Sequence, residues 1–80
     1  MMNMRDLWVE VQEELARAQE LHEPFNSAHE GYAVILEELD ELWEEVKKKR
    51  EARLTTKMRR EAVQVATMAI RFIKDVCGGE

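Results

Sequence analysis

Six acids, Glu37, Glu38, Asp40, Glu41, Glu44 and Glu45, stand within nine residues of this chain with no base among them. A further carboxylate, Glu61, follows in an otherwise basic and apolar stretch. Carboxylates three apart on one helix, joined by another from a facing helix, can hold a hard, oxygen-seeking cation such as Mg²⁺. Positions then remain for water and phosphate oxygens. Such an ion neutralises phosphate charge and turns a bound water into a nucleophile, which is the chemistry of phosphoanhydride hydrolysis. The requirement is that both segments be helical, with the acids turned toward each other.

The periodicity predicts those helices. Period-2 alternation does not persist, while apolar residues recur at three- and four-residue spacing throughout. A first helix is expected over about Met4 to Leu21, capped by Asn3, with Met4, Leu7, Trp8, Val11, Leu15, Ala18 and Leu21 as its buried stripe. It stops before Glu23-Pro24, because the residue preceding proline is pushed from helical angles. Ser27 and Glu30 fit a capping box that opens a second helix. That helix is expected to run to about Arg53 with Tyr32, Ile35, Leu36, Leu39, Leu42, Trp43 and Val46 on one side. A threonine of Leu54-Thr55-Thr56 is placed to cap a third helix, from about Lys57 to Cys77, ended by Gly78-Gly79. Short connections favour an up-down-up antiparallel arrangement, so the expected fold is all-α.

Glu61 is the residue that does not fit a plain bundle. The third helix is apolar over about 220° of its wheel, too wide for one neighbour, which suggests packing both within the subunit and across a dimer interface. Glu61 falls inside that arc among Met58, Val65, Met68 and Phe72, whereas Arg60, Thr67, Arg71 and Lys74 lie on the polar side. A carboxylate so placed needs a cation, a base or a proton. On the second helix Glu37, Glu38 and Glu41 have no cation four residues on, unlike Glu44 and Glu45, which have Lys48 and Lys49.

Composition bounds the rest. Eighty residues, 45% hydrophobic and 36% charged, suit one small helical domain over residues 1–80. So short a chain gains little from a single core, and oligomerisation is the expected remedy. The lone Cys77 cannot form an internal disulfide, which points to the reducing cytoplasm. No apolar run reaches the roughly 20 residues of a membrane span, and the first twenty residues do not read as a signal peptide. The net charge of −5 is unevenly spread: Glu10 to Glu45 holds twelve acids and one base, Val46 to Lys74 ten bases and two acids. The basic run from Lys47 to Arg50 could meet phosphates, but no aromatic lies between Lys47 and Arg71 to stack on bases, so nucleic acid is an unlikely partner.

Glu37-Glu38-Leu39-Asp40-Glu41-Leu42, followed by Arg60-Glu61-Ala62-Val63-Gln64, resembles the two-part signature of the all-α nucleoside triphosphate pyrophosphohydrolases, the MazG-like superfamily. That signature is E-x-x-E on one helix and E-x-x-D on the next. The resemblance spans about Ser27 to Val76 and implies a Mg²⁺-dependent enzyme, Mn²⁺ being an alternative ion, that releases pyrophosphate from nucleoside triphosphates. It implies Glu38, Glu41 and Glu61 as principal metal ligands and Glu37 as auxiliary ligand or water orienter. It also implies a homodimer or tetramer. Gln64 stands where the signature has aspartate; its amide oxygen can ligate but brings no charge, so one metal site is weakened. Lys47 and Lys48 would neutralise substrate phosphate. The chain is shorter than typical members, so a partner subunit would complete the substrate pocket. Phosphoribosyl-ATP pyrophosphohydrolases share the carboxylate pattern. The alternatives are a catalytically silent dimeric interaction module and, further off, a basic-faced nucleic-acid binder. Trp8 and Trp43 are read as packing residues, Met58 and Met68 as core fillers, His29 and His22 as helix-end residues without chemistry, and Cys77 as an incidental thiol.

Overall fold

The computed structural model describes residues 3–78 and is helical, with no strand among them. Three helices, α1 (Met4–Leu21), α2 (Ala28–Val46) and α3 (Thr55–Phe72), are supplemented by a 3₁₀ turn at Arg50–Ala52 and a π turn at Ile73–Cys77. The first two start where expected. Asn3 accepts a hydrogen bond from the Asp6 amide at 2.9 Å, and Ser27 Oγ accepts from the Glu30 amide at 3.0 Å. The Glu30 carboxylate closes the second cap from the other side, accepting from the amide of Asn26, one residue earlier than a regular capping box requires.

α1 also ends at Leu21 as expected, while the boundaries around the α2–α3 connection and the end of α3 differ. α2 ends at Val46, seven residues short of Arg53, where four consecutive cations begin. Arg53 turns back to donate from Nε to the carbonyls of Val46 and Lys48, at 2.8 and 3.1 Å, and so satisfies groups that a helix end leaves open. α3 begins at Thr55 behind Leu54, with no side-chain cap, so neither threonine caps it. At its far end the π turn gives way to Gly78, whose φ of −89° is not the left-handed conformation of a glycine cap. Gly79 lies outside the described residues.

Contacts run up one pair of helices and down the other. Glu10 meets Arg59, Glu14 meets Gln64 and Glu23 meets Arg71, so α1 and α3 are parallel. Glu41 approaches Glu61, and Gly31 lies on Phe72, so α2 and α3 are antiparallel. The expected up-down-up order results, with α3 packed against both neighbours and α1 and α2 meeting each other little.

Two expectations about packing are corrected. Thr67 and Arg71, expected on a polar surface, are 0% and 3% exposed because α1 covers that side of α3. Thr67 satisfies its hydroxyl by donating to the Val63 carbonyl at 2.8 Å, which lets α1 come close without an orphaned polar group. Trp8 and Trp43, expected as packing residues, are 50% and 56% exposed. α2 is rotated so that Gly31, Val34, Glu38 and Glu45 turn inward, while Tyr32, Leu36, Leu39 and Trp43 stay outside.

Candidate metal and substrate site

Glu38 and Glu41 stand three residues apart on α2, and Glu61 stands across from them on the first half of α3. One carboxylate oxygen from each lies within 4.8 Å of the other two. Glu38 and Glu61 are half-buried and Glu41 is exposed, so the cluster is rooted in the α2–α3 interface and open on one side. Adjacent oxygens on an octahedral Mg²⁺ lie about 3 Å apart and opposite ones about 4 Å, given ligand distances of about 2.1 Å. The donor set is all oxygen and anionic, which suits Mg²⁺, Mn²⁺ or Ca²⁺ over softer ions.

The carboxylates of the cluster act on one another, and Arg60 offsets part of that charge at Glu61. Burial raises the Glu38 carboxyl above its ordinary value, and the charges of Glu41, Glu61, Glu37 and Glu14 raise it further. Burial likewise raises Glu61, reinforced by the charge of Glu41, by a hydrogen bond with the Glu41 carboxyl and by Glu45; Arg60 works the other way. Converging like charges favour a proton or an external cation.

A cleft of about 490 Å³ opens beside the cluster, floored by Met68 of α3 and walled by α1, the 22–26 linker and α2. Glu14, Glu23, Glu30, Glu37 and Glu38 are its acidic members, Arg17 and Arg71 its cationic ones, and Phe25 and Val34 part of its apolar wall. The size falls within the range of small-molecule sites. Glu38 therefore belongs to both the carboxylate cluster and the cleft, and Glu37 lines the cleft beside it.

Of the remaining residues singled out in the sequence, Gln64 and His22 line the cleft, whereas Lys47, Lys48 and His29 do not. Gln64 donates from Nε2 to Glu14 of α1 at 2.6 Å, so its nitrogen is committed to bridging α3 and α1 at the cleft. Lys47 pairs with Glu44 at 3.0 Å and Lys48 with Glu45 at 2.9 Å, each three residues apart, and neither lines the cleft. His29 is exposed in the first turn of α2.

Two residues of the site were not singled out by sequence reasoning. Glu14 is half-buried, accepts from both Gln64 and Arg17, and adds to the field on Glu38. Its signal was present: it falls midway between Leu7 and Leu21 on the first helix's apolar stripe, as Glu61 does on the third. Arg71 stacks over Phe25 with 4.3 Å from guanidinium carbon to ring centre, and donates from Nη2 to the Glu23 carbonyl at 2.9 Å. Its other contacts are the sulfur of Met68 and the Asp75 carboxylate, the latter at 3.8 Å. Asp75 in turn accepts from the Phe25 amide at 3.0 Å. This clasp fixes the linker that forms one wall of the cleft.

No family model matches the sequence, and neither a curated protein nor a solved structure matches the chain.

Proposed function

We propose that the protein is a Mg²⁺-dependent nucleotide pyrophosphohydrolase of the MazG-like type, with Mn²⁺ as an alternative ion, cleaving a nucleoside triphosphate to the monophosphate and pyrophosphate. The observation that carries the reading is the meeting of Glu38, Glu41 and Glu61, from two successive helices, within 4.8 Å of one another beside a cleft. Surface acids repel and spread. Three that converge, with Arg60 offsetting only part of their charge, are suited to hold a cation.

In this reading Glu38, Glu41 and Glu61 hold the ion. When bound it neutralises phosphate charge and lowers the pKa of a coordinated water. Glu37, on the cleft side, orients the attacking water and accepts its proton as the water oxygen bonds to the α-phosphorus. The bridge between the α- and β-phosphates breaks, and pyrophosphate leaves. Gln64, held by Glu14, shapes the far edge of the site and contributes no charge, so one metal position is weaker than with aspartate. The Phe25 and Val34 wall receives the base. Lys47 and Lys48 reach phosphate only by exchanging their partners Glu44 and Glu45. The active form is a homodimer or a pair of dimers, acting in the cytoplasm, where the exposed Cys77 thiol stays reduced.

The test is pyrophosphate release from a panel of nucleoside triphosphates with Mg²⁺ or Mn²⁺, paired with isothermal titration of each ion. Release that disappears in Glu61→Gln and Glu38→Gln, with ion binding weakened in parallel, is expected. Absence of both ion binding and pyrophosphate release overturns the proposal. Ion binding and dimerisation without release would favour the silent relative, a reading supported by Gln64 in place of aspartate.

A further inference from the structure

The cleft beside the acidic cluster is poorly supplied with cations for a polyphosphate. Of its two arginines, Arg71 is 3% exposed and committed to the Glu23 carbonyl and to Asp75. That leaves Arg17, whose side chain is 64% exposed. Sites that handle a triphosphate surround it with several cationic donors besides the metal ion, because its charge is spread over many oxygens.

Further cations stand next door. A second pocket, of about 350 Å³, lies between α1 and the first half of α3 and brings Arg17 together with Arg59 and Arg60. Glu14, Arg17 and Gln64 line both spaces, so the pocket and the cleft adjoin along those side chains. Two acids also face the second pocket, and each is already engaged. Glu10 is paired with Arg59, and Glu14 accepts from Arg17 and from Gln64, both at 2.6 Å. Arg60 is exposed and forms no ion pair among the described residues, and its charge bears on Glu61 of the cluster. A guanidinium carries five N–H donors in a planar fork, so an arginine that meets one carboxylate retains donors for phosphate oxygens.

The order along α3 gives the pocket its role. Met68, packed with Phe25, marks the apolar end of the cleft; Glu61 and Gln64 stand at the level of the cluster; Arg59 and Arg60 lie toward the start of the helix. A nucleotide whose base lies at the apolar end and whose α-phosphate meets the metal ion runs its β- and γ-phosphates toward these arginines. We infer that the pocket of Arg17, Arg59 and Arg60 is a pyrophosphate site, which holds the terminal phosphates of the substrate and the pyrophosphate released from it. This rests on the pyrophosphohydrolase reading above and names the residues that take its leaving group.

The experiment is isothermal titration of the full chain, in Mg²⁺, with inorganic pyrophosphate, a non-hydrolysable nucleoside triphosphate and a nucleoside monophosphate. Arg17→Gln and Arg60→Gln are each expected to weaken the first two about tenfold, the size of one charged hydrogen bond, and to leave the monophosphate unchanged. Lys49→Gln and Lys74→Gln remove the same charge from exposed positions outside both pockets and are expected to change none of the three. Glu10→Gln takes an acid out of the pocket and is expected to tighten pyrophosphate, a gain that damage to the fold does not produce. A parent chain that binds no pyrophosphate overturns the inference. So does an affinity unaltered in either arginine variant, a loss shared by the monophosphate, or a loss reproduced by the lysine controls. Pyrophosphate release judges the enzyme reading separately. Release at limiting triphosphate that is undiminished by Arg17→Gln with Arg60→Gln leaves the enzyme standing without this site. Arginine-dependent pyrophosphate binding by a chain that releases none leaves the site standing without the enzyme.

Discussion

Glu38 and Glu61 tie the stability of the molecule to pH, because burial and neighbouring carboxylates raise both above the ordinary value of 4.5. Each binds its proton more tightly folded than unfolded. Between the ordinary value and the raised ones the native state holds more protons, so stability is highest below that window and falls as pH rises through it. Thermal unfolding without divalent cations should show the midpoint dropping from about pH 4.5 toward neutrality, and Glu38→Gln with Glu61→Gln should flatten the drop. A midpoint that rises over this range in the parent chain contradicts the clustering. Glu61 was legible in the sequence because a charge inside an apolar arc is a local anomaly. Glu14 offered the same anomaly between Val11 and Ala18, but it lies on a helix whose acids had no obvious partner. Arg71 was not legible at all, since an arginine beside Thr67 and Lys74 reads as surface until α1 is known to cover it.

Helix boundaries were readable wherever the signal is local, as at the caps Asn3 and Ser27 and at the end of α1 before Pro24, and the end of α2 was not, because it depends on a tertiary partner. α2 stops where Arg53 folds back on its carbonyls, a contact seven residues long that periodicity cannot show. The rotation of α2 was misjudged for a related reason: its apolar stripe is wider than one neighbour needs, and the centre of a stripe says nothing of which half faces inward. Gly31 decides that choice. A Cβ there would lie 2.5 Å from Phe72 Cδ2 and 3.1 Å from Phe25 Cδ2, so only glycine lets α2 settle on these rings. Gly31→Val should cost about 1–3 kcal/mol through overpacking, despite the gain of removing a helical glycine. Chemical denaturation measures it, and an unchanged midpoint would mean the rings move aside freely. The clasp at the other end of α3 makes a second element-level prediction. Arg71→Met strips the Glu23 carbonyl and Asp75 of a buried partner and should cost about 3 kcal/mol, the range for breaking a buried ionic contact. Adding Asp75→Asn to it should cost less than the sum of the two single changes, because the pair fails as a unit.

At the scale of the whole molecule the chain is a pair of helix contacts sharing one central helix, a thin assembly 45 × 28 × 20 Å. Among the described residues Val11, Ala18, Phe25, Val63 and Met68 are the buried hydrophobic ones, and Ala18, Phe25 and Met68 gather in one cluster with Val34, Ile35, Phe72 and Val76 around them. The acidic cluster and ion pairs such as Arg59 with Glu10 lie outside it, and exposed pairs of that kind contribute little. A subunit with so small a core and a seam of two leucines, a tyrosine and a tryptophan in water has its missing burial on its outside. In the homodimer proposed above, folding and association would be one equilibrium, because pairing would supply apolar burial that the single subunit lacks. The consequence is a stability that depends on protein concentration. Denaturant midpoints measured over a hundredfold range of concentration should rise steadily, and the transitions seen by circular dichroism and by tryptophan fluorescence should coincide, since Trp43 lies in the seam. Leu39→Ala should lower the midpoint by a similar amount at every concentration, since in one coupled equilibrium substitution and dilution act additively. A midpoint independent of concentration would mean that the subunit holds its three helices without a second copy.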